Sequence, residues 1–123
     1  MKNTRSPLSA SSVTGNKIKN TSGDILGTVD EIMLDYSTGK IAYIVMSAGG
    51  FLGIGEKLFA VPISALTIDS EDKCFRTQLS KETFERAEGF DKGQWPDMAN
   101  PIWEENSHSN FGAKPYWQAS ACC

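Results

Sequence analysis

Apolar residues recur along the first two thirds of this chain with a strand-like period of two, broken at a few readable places. Between the turn signals Ser22-Gly23 and Ser37-Thr38-Gly39 the apolar positions include Val29, Ile32 and Leu34. The step of three from Val29 to Ile32 breaks the alternation that keeps one face of a strand apolar. One extra residue near Asp30-Glu31, a β-bulge, restores all three to one face and lets a short sheet bend. The segment 41–46 is Ile-Ala-Tyr-Ile-Val-Met, apolar on both faces. A strand with one wet face alternates with polar residues, so this one must be covered on both sides. The run 58–61 ends at Pro62, which cannot donate to a ladder and marks a strand end or an edge. Segments 66–69 and 74–78 flank the polar turn Ser70-Glu71-Asp72-Lys73. The pattern predicts a mainly β fold of short antiparallel strands.

After residue 80 the pattern changes. Ser80 suits an N-cap for a short helix over 81–87, with Glu82 in its first turn and Gly89 as its stop. Asn100 suits a second cap, with Pro101 at the first helical position, a helix to about Asn110 and Gly112 as terminator. On that helix Ile102, Trp103 and Asn106 are expected to share one face, with Ser109 and Asn110 completing it. Seven of the twelve aromatic residues, including every Trp, lie in 81–123, which argues against a solvated linker. Residues 1–12 are polar and Ser-rich and are expected to be disordered.

Between the second and third strand-like segments lies Gly49-Gly50-Phe51-Leu52-Gly53-Ile54-Gly55. Four glycines with three bulky apolar residues form a loop that is costly to expose. It is no phosphate cradle, because Gly55-Glu56 leads into an apolar strand and not into a helix. This loop, the segment 22–35 with its Gly23, Leu26, Gly27 and Val29, and the strand 39–46 together resemble the PRC-barrel family. That family is the small β-barrel first described in the H subunit of photosynthetic reaction centres. The resemblance implies a small antiparallel PRC-type β-barrel over 13–80. The aromatic, partly helical extension 81–123 resembles that of stand-alone bacterial members and is expected to pack on the barrel or on a second subunit. A barrel of that size is close to the limit at which one core suffices, so the extension has stability to add.

Charge then narrows the partners. Residues 1–80 carry 8 basic and 8 acidic side chains, whereas 81–123 carry 4 basic and 7 acidic, so the net charge of −3 sits in the tail. No basic run offers a face for phosphate backbones, and direct nucleic-acid binding is not expected. No stretch approaches the ~20 apolar residues of a membrane span, and 1–8 lack the apolar core of a secretory signal. Cys74, Cys122 and Cys123 have no metal-ligand spacing and suit a reducing, cytoplasmic setting.

Candidate chemistry is sparse. His108 is the sole imidazole, and its simplest reading is a half-exposed helix histidine beside Glu104 and Glu105. Asp69, Glu71 and Asp72 cluster without an EF-hand spacing, and a solvated turn is the expected role. No catalytic residue, metal or cofactor is therefore expected. The resemblance points to proteins that dock on proteins, either in a membrane complex or in ribosome maturation. The expected function is a non-catalytic interaction module, resembling the cytoplasmic domain of the reaction-centre H subunit, that forms a homodimer and docks on a protein partner. The alternatives are a small-molecule protein with a quinone-like or other apolar ligand, and a ribosome- or RNA-processing-associated factor. The interface candidates are Phe51, Leu52, Ile54, Tyr43, Trp95, Trp103 and Trp117.

Overall fold

The computed structural model describes residues 7–48 and 57–119. The alternating segments become six strands: β1 (Lys17–Asn20), β2 (Ile25–Asp35), β3 (Lys40–Ala48), β4 (Lys57–Pro62), β5 (Thr67–Asp69) and β6 (Cys74–Thr77). They form one sheet in the order β4-β3-β2-β1-β6-β5. The fold is mainly β, as the pattern predicts, and its ladders are antiparallel except for β1–β6, which run parallel with Ile18 opposite Phe75. The end strands β4 and β5 do not pair with each other, so hydrogen bonds do not close the barrel. A helical turn, α1 (Ala10–Val13), precedes β1, and a 3-10 turn, Ile63–Ala65, follows β4.

Strand β2 slips twice against β3. Val29 faces Met46 and Glu31 faces Val45, so Asp30 is the extra residue that the Val29–Ile32 spacing calls for. Val29 and Ile32 both pack on the main core. A second slip between Met33 and Leu34 turns the strand again and leaves Leu34 exposed, against the expectation that it shares their face. At Gly27 the strands approach so closely that a Cβ would lie 2.5 Å from the Ser47 carbonyl oxygen.

The interior is apolar: Ile18, Leu26, Ile44, Met46, Phe59, Val61 and Phe75 are buried together. Each such side chain contributes roughly 1.5–3 kcal/mol by leaving water. Cys74 is buried and unpaired, the small apolar filler its strand position suggests.

The tail enters this core. Ser80 caps α2 (Lys81–Arg86), its hydroxyl accepting from the Thr83 amide. The helix buries Phe84 edge-on against Phe59, and Phe111 tilts onto Phe84 from further along the chain. Helix α2 ends at Arg86, so Gly89 is not its stop. Gly89 lies instead against β4, where a Cβ would meet the Leu58 carbonyl at 2.9 Å. The next residue, Phe90, exchanges both backbone hydrogen bonds with Leu58 and covers part of the free edge of β4. Asn100 caps α3 (Pro101–Asn110) through Oδ1, and Gly112 beyond it takes φ 59°. A last turn, α4 (Tyr116–Ala119), follows. Behind β3 and β4, Ala42, Tyr43 and Ala60 form a second buried cluster with Tyr116, on which Phe90, Met98 and Trp103 pack. The outer face around Tyr43 is thus covered by residues of the same chain.

Candidate functional site

The seam between tail and barrel is where polar and aromatic groups converge. Tyr43 stands on β3 with its ring 5.1 Å from Trp103, 5.6 Å from His108 and 5.5 Å from Tyr116, all edge-on. His108 is 4% exposed, not half-exposed as its sequence setting suggests. The Tyr116 amide donates to its Nε2 at 3.0 Å, so the ring proton sits on Nδ1 and is donated to the Glu104 carbonyl at 2.8 Å. Both nitrogens are engaged, which is how a buried imidazole avoids an unpaired polar group. One residue earlier, the Ser107 hydroxyl donates to the Ala60 carbonyl of β4.

The buried side of α3 is therefore Trp103, Ser107, His108 and the adjoining Phe111, whereas Ile102 is 70% exposed. Short polar side chains that can bond the sheet and α4 take the inner positions. The signal for this was the spacing of Trp103, Ser107 and Phe111 at i, i+4 and i+8, which excludes Ile102 from that face.

At the far end of the seam the Tyr116 hydroxyl donates to Asp35 Oδ2 at 2.8 Å, tying α4 to the tip of the β2–β3 hairpin. The Asp35 carboxyl lies below its usual range because the Ser37 hydroxyl and then Tyr116 donate to it. Tyr116 is pushed up to about 12, first by burial and then by Asp35. Tyr43 is raised further by burial, with Glu104 and Tyr116 adding to it. Both phenols keep their protons at neutral pH. The Tyr43 hydroxyl has no hydrogen-bond partner among the described residues.

Below the seam a cleft of about 560 Å³ opens between the β5–β6 hairpin, the 3-10 turn and the loop joining α3 to α4. The Ser64 hydroxyl donates to the Lys114 carbonyl and fixes that loop. At the turn of the β5–β6 hairpin, Asp69, Asp72 and Cys74 come within 4.8 Å of one another. Arg76 already occupies this cluster, donating through Nε to Asp69 at 2.9 Å and through Nη2 to Asp72 at 3.2 Å. Its guanidinium holds the Asp69 carboxyl below the usual range. The trio reads as a structural turn with its own cation.

Of the interface candidates, Tyr43 is buried, Trp103 is half-buried, and Trp95 and Trp117 are exposed, Trp95 lying against Phe90. Phe51, Leu52 and Ile54 lie outside the described residues, as do Cys122 and Cys123. Among the described residues no helix is long and apolar enough to cross a membrane.

The family model for the PRC-barrel domain matches residues 8–83. Among solved structures, the chain is similar to that of a protein described as a 16S ribosomal RNA processing protein, RimM, from Pseudomonas aeruginosa. The match has 18% identity and a TM-score of 0.39, and covers 61% of this chain. It spans less than half of that protein, 45% of its length. No curated protein sequence matches the chain.

Proposed function

The chain belongs to the PRC-barrel family, and on that premise we propose that it is a non-catalytic, cytoplasmic module that docks on a protein partner. One observation supports this most. The tip of the β2–β3 hairpin presents Leu34 and Tyr36, the latter 98% exposed, to solvent. Asp35 between them is bonded to Tyr116, so the exposed tip is held firmly to the helix that carries the exposed Trp117. An aromatic side chain on a fixed backbone makes a good anchor, since little backbone freedom remains to be lost on binding. Phe51, Leu52 and Ile54 belong to the same reading as further anchors.

The titratable groups at the seam serve packing. His108 spends both ring nitrogens on structural bonds, and Tyr43 and Tyr116 hold their protons at neutral pH. A general acid or base needs a group that is free, reachable and poised. His108 and Tyr116 are bonded, and the Tyr43 hydroxyl, unpartnered among the described residues, is buried and holds its proton. Because the β3 outer face is covered within the chain, the docking reading needs no second copy. It is common to the membrane-complex and ribosome-maturation branches of the family, and the captured partner decides between them.

The test is affinity capture from the native cell with Tyr36→Glu, Leu34→Glu and Phe51→Glu variants beside the parent chain. The reading expects one partner whose recovery falls roughly tenfold in at least one variant at unchanged melting temperature. Equal recovery with all three removes these residues from any interface and overturns it.

A further inference from the structure

We propose that the cleft beside β5–β6 is a separate binding site for a small organic anion with an apolar body, such as an aryl or medium-chain carboxylate. Its volume of about 560 Å³ lies within the range of small-molecule sites. Its apolar lining includes Leu66, Leu79 and Phe111. Around this surface stand Thr21, Gln78, Arg76 and Lys114, and no carboxylate lines the cleft. Arg76 brings its own counter-charges, Asp69 and Asp72, so Lys114 is the uncompensated charge of the lining among the described residues.

The donors divide by what they already do. Thr77 Oγ1 donates to the Ala65 carbonyl, and Ser64 to that of Lys114, so these two hold the walls. Arg76 is engaged with Asp69 and Asp72. The Thr21, Gln78 and Lys114 side chains have no hydrogen-bond or ion-pair partner among the described residues. A hydroxyl, an amide and an ammonium next to an apolar surface match a carboxylate with a hydrocarbon behind it. An organic cation would face the Lys114 ammonium, unpaired among the described residues, and no carboxylate lines the cleft to receive it. A polyphosphate would need a wider basic face than Lys114 provides.

One wall of the cleft is Phe111–Lys114, which belongs to the tail, while the opposite walls belong to the barrel. The site exists only when the tail is docked. A bound anion therefore stabilises the docked tail by mass action.

Two-dimensional NMR titration of the full chain tests this with 4-phenylbutyrate and octanoate, each against its neutral amide. Saturable shifts are expected at Thr21, 64–67, 78–79 and 111–114. The amides are expected to bind roughly tenfold more weakly, the worth of one charge-assisted hydrogen bond. Lys114→Gln should weaken the carboxylates about fivefold and leave the amides unchanged. Ala113→Trp should fill the cleft and abolish the shifts. Should that variant misfold, the exposed Lys114→Gln still decides. Absence of saturation at millimolar carboxylate, shifts centred elsewhere, or equal binding of carboxylate and amide overturns the site.

Discussion

Val45 and His108 are both buried, and for opposite reasons. Val45 sits in the middle of β3 between Ile44 and Met46, opposite Glu31 of β2 and Ala60 of β4 in the two ladders. His108 sits on α3 as a polar ring whose two nitrogens are bonded and whose faces meet Tyr43, Tyr116 and Trp117. The barrel is thus held by many interchangeable apolar contacts and continuous ladders. The tail is held by a few directional bonds and by two phenylalanines pushed into the barrel. A shared load tolerates substitution, whereas a directional one fails at single positions and opens locally.

The largest effect that would sharpen this comparison is removal of 81–123. The barrel then loses Phe84 and Phe111, and truncating one buried Phe costs roughly 3–5 kcal/mol against total stabilities of about 5–15 kcal/mol. The shortened chain is expected to aggregate or to melt without a cooperative transition by circular dichroism. A soluble, cooperative barrel of unchanged melting temperature would make the tail an appendage.

Next come two glycines that separate the regions. Gly27→Ala places a methyl 2.5 Å from a backbone oxygen between β2 and β3, and is expected to cost about 3 kcal/mol globally. Gly89→Ala meets Leu58 O at 2.9 Å and the Phe59 ring at 3.0 Å, and is expected to cost about 1 kcal/mol. Hydrogen exchange locates each loss: throughout the sheet for Gly27→Ala, and at Phe90 and beyond for Gly89→Ala. The reverse distribution breaks the comparison.

His108→Ala should cost about 2 kcal/mol, since it strands the Tyr116 amide and empties the space the ring fills beside Tyr43 and Tyr116. Limited proteolysis should then cut within 100–119 while the sheet stays intact. Unchanged cleavage would show that the ring is not a fastening.

The smallest effect is the pH dependence of the Tyr116–Asp35 bond. Tyr116 is raised to about 12 in the folded chain, above the ordinary phenol value near 10. Its contribution is therefore complete below about pH 10 and is lost as pH rises through about 12. Asp35 is lowered, so its contribution is present above the ordinary carboxyl value near 3.9 and is lost as pH falls through the depressed one. The stability difference between the parent chain and Tyr116→Phe should be level from pH 5 to 9 and shrink beyond both limits. A difference that grows above pH 10 contradicts the bond.

The same division governs what the amino-acid pattern discloses. The Asp30 bulge and the caps at Ser80 and Asn100 follow from local rules, because their partners lie within a few residues or on the next strand. The exposure of Leu34 depends on a second slip against β3, and the place of Gly89 on a strand far away in sequence. The inner face of α3 escapes a hydrophobicity argument because Ser107 and His108 are buried for the bonds they make. The parallel β1–β6 pair likewise has no local signature.

The central claim is that the tail of one chain completes the barrel of that same chain. An isotope-filtered NOE experiment on mixed labelled and unlabelled protein tests it directly. The account predicts ring contacts Tyr43–Trp103, Tyr43–Tyr116 and Phe59–Phe84 within the labelled chain, unchanged on dilution. The same contacts appearing between labelled and unlabelled chains, or absent altogether, would contradict it.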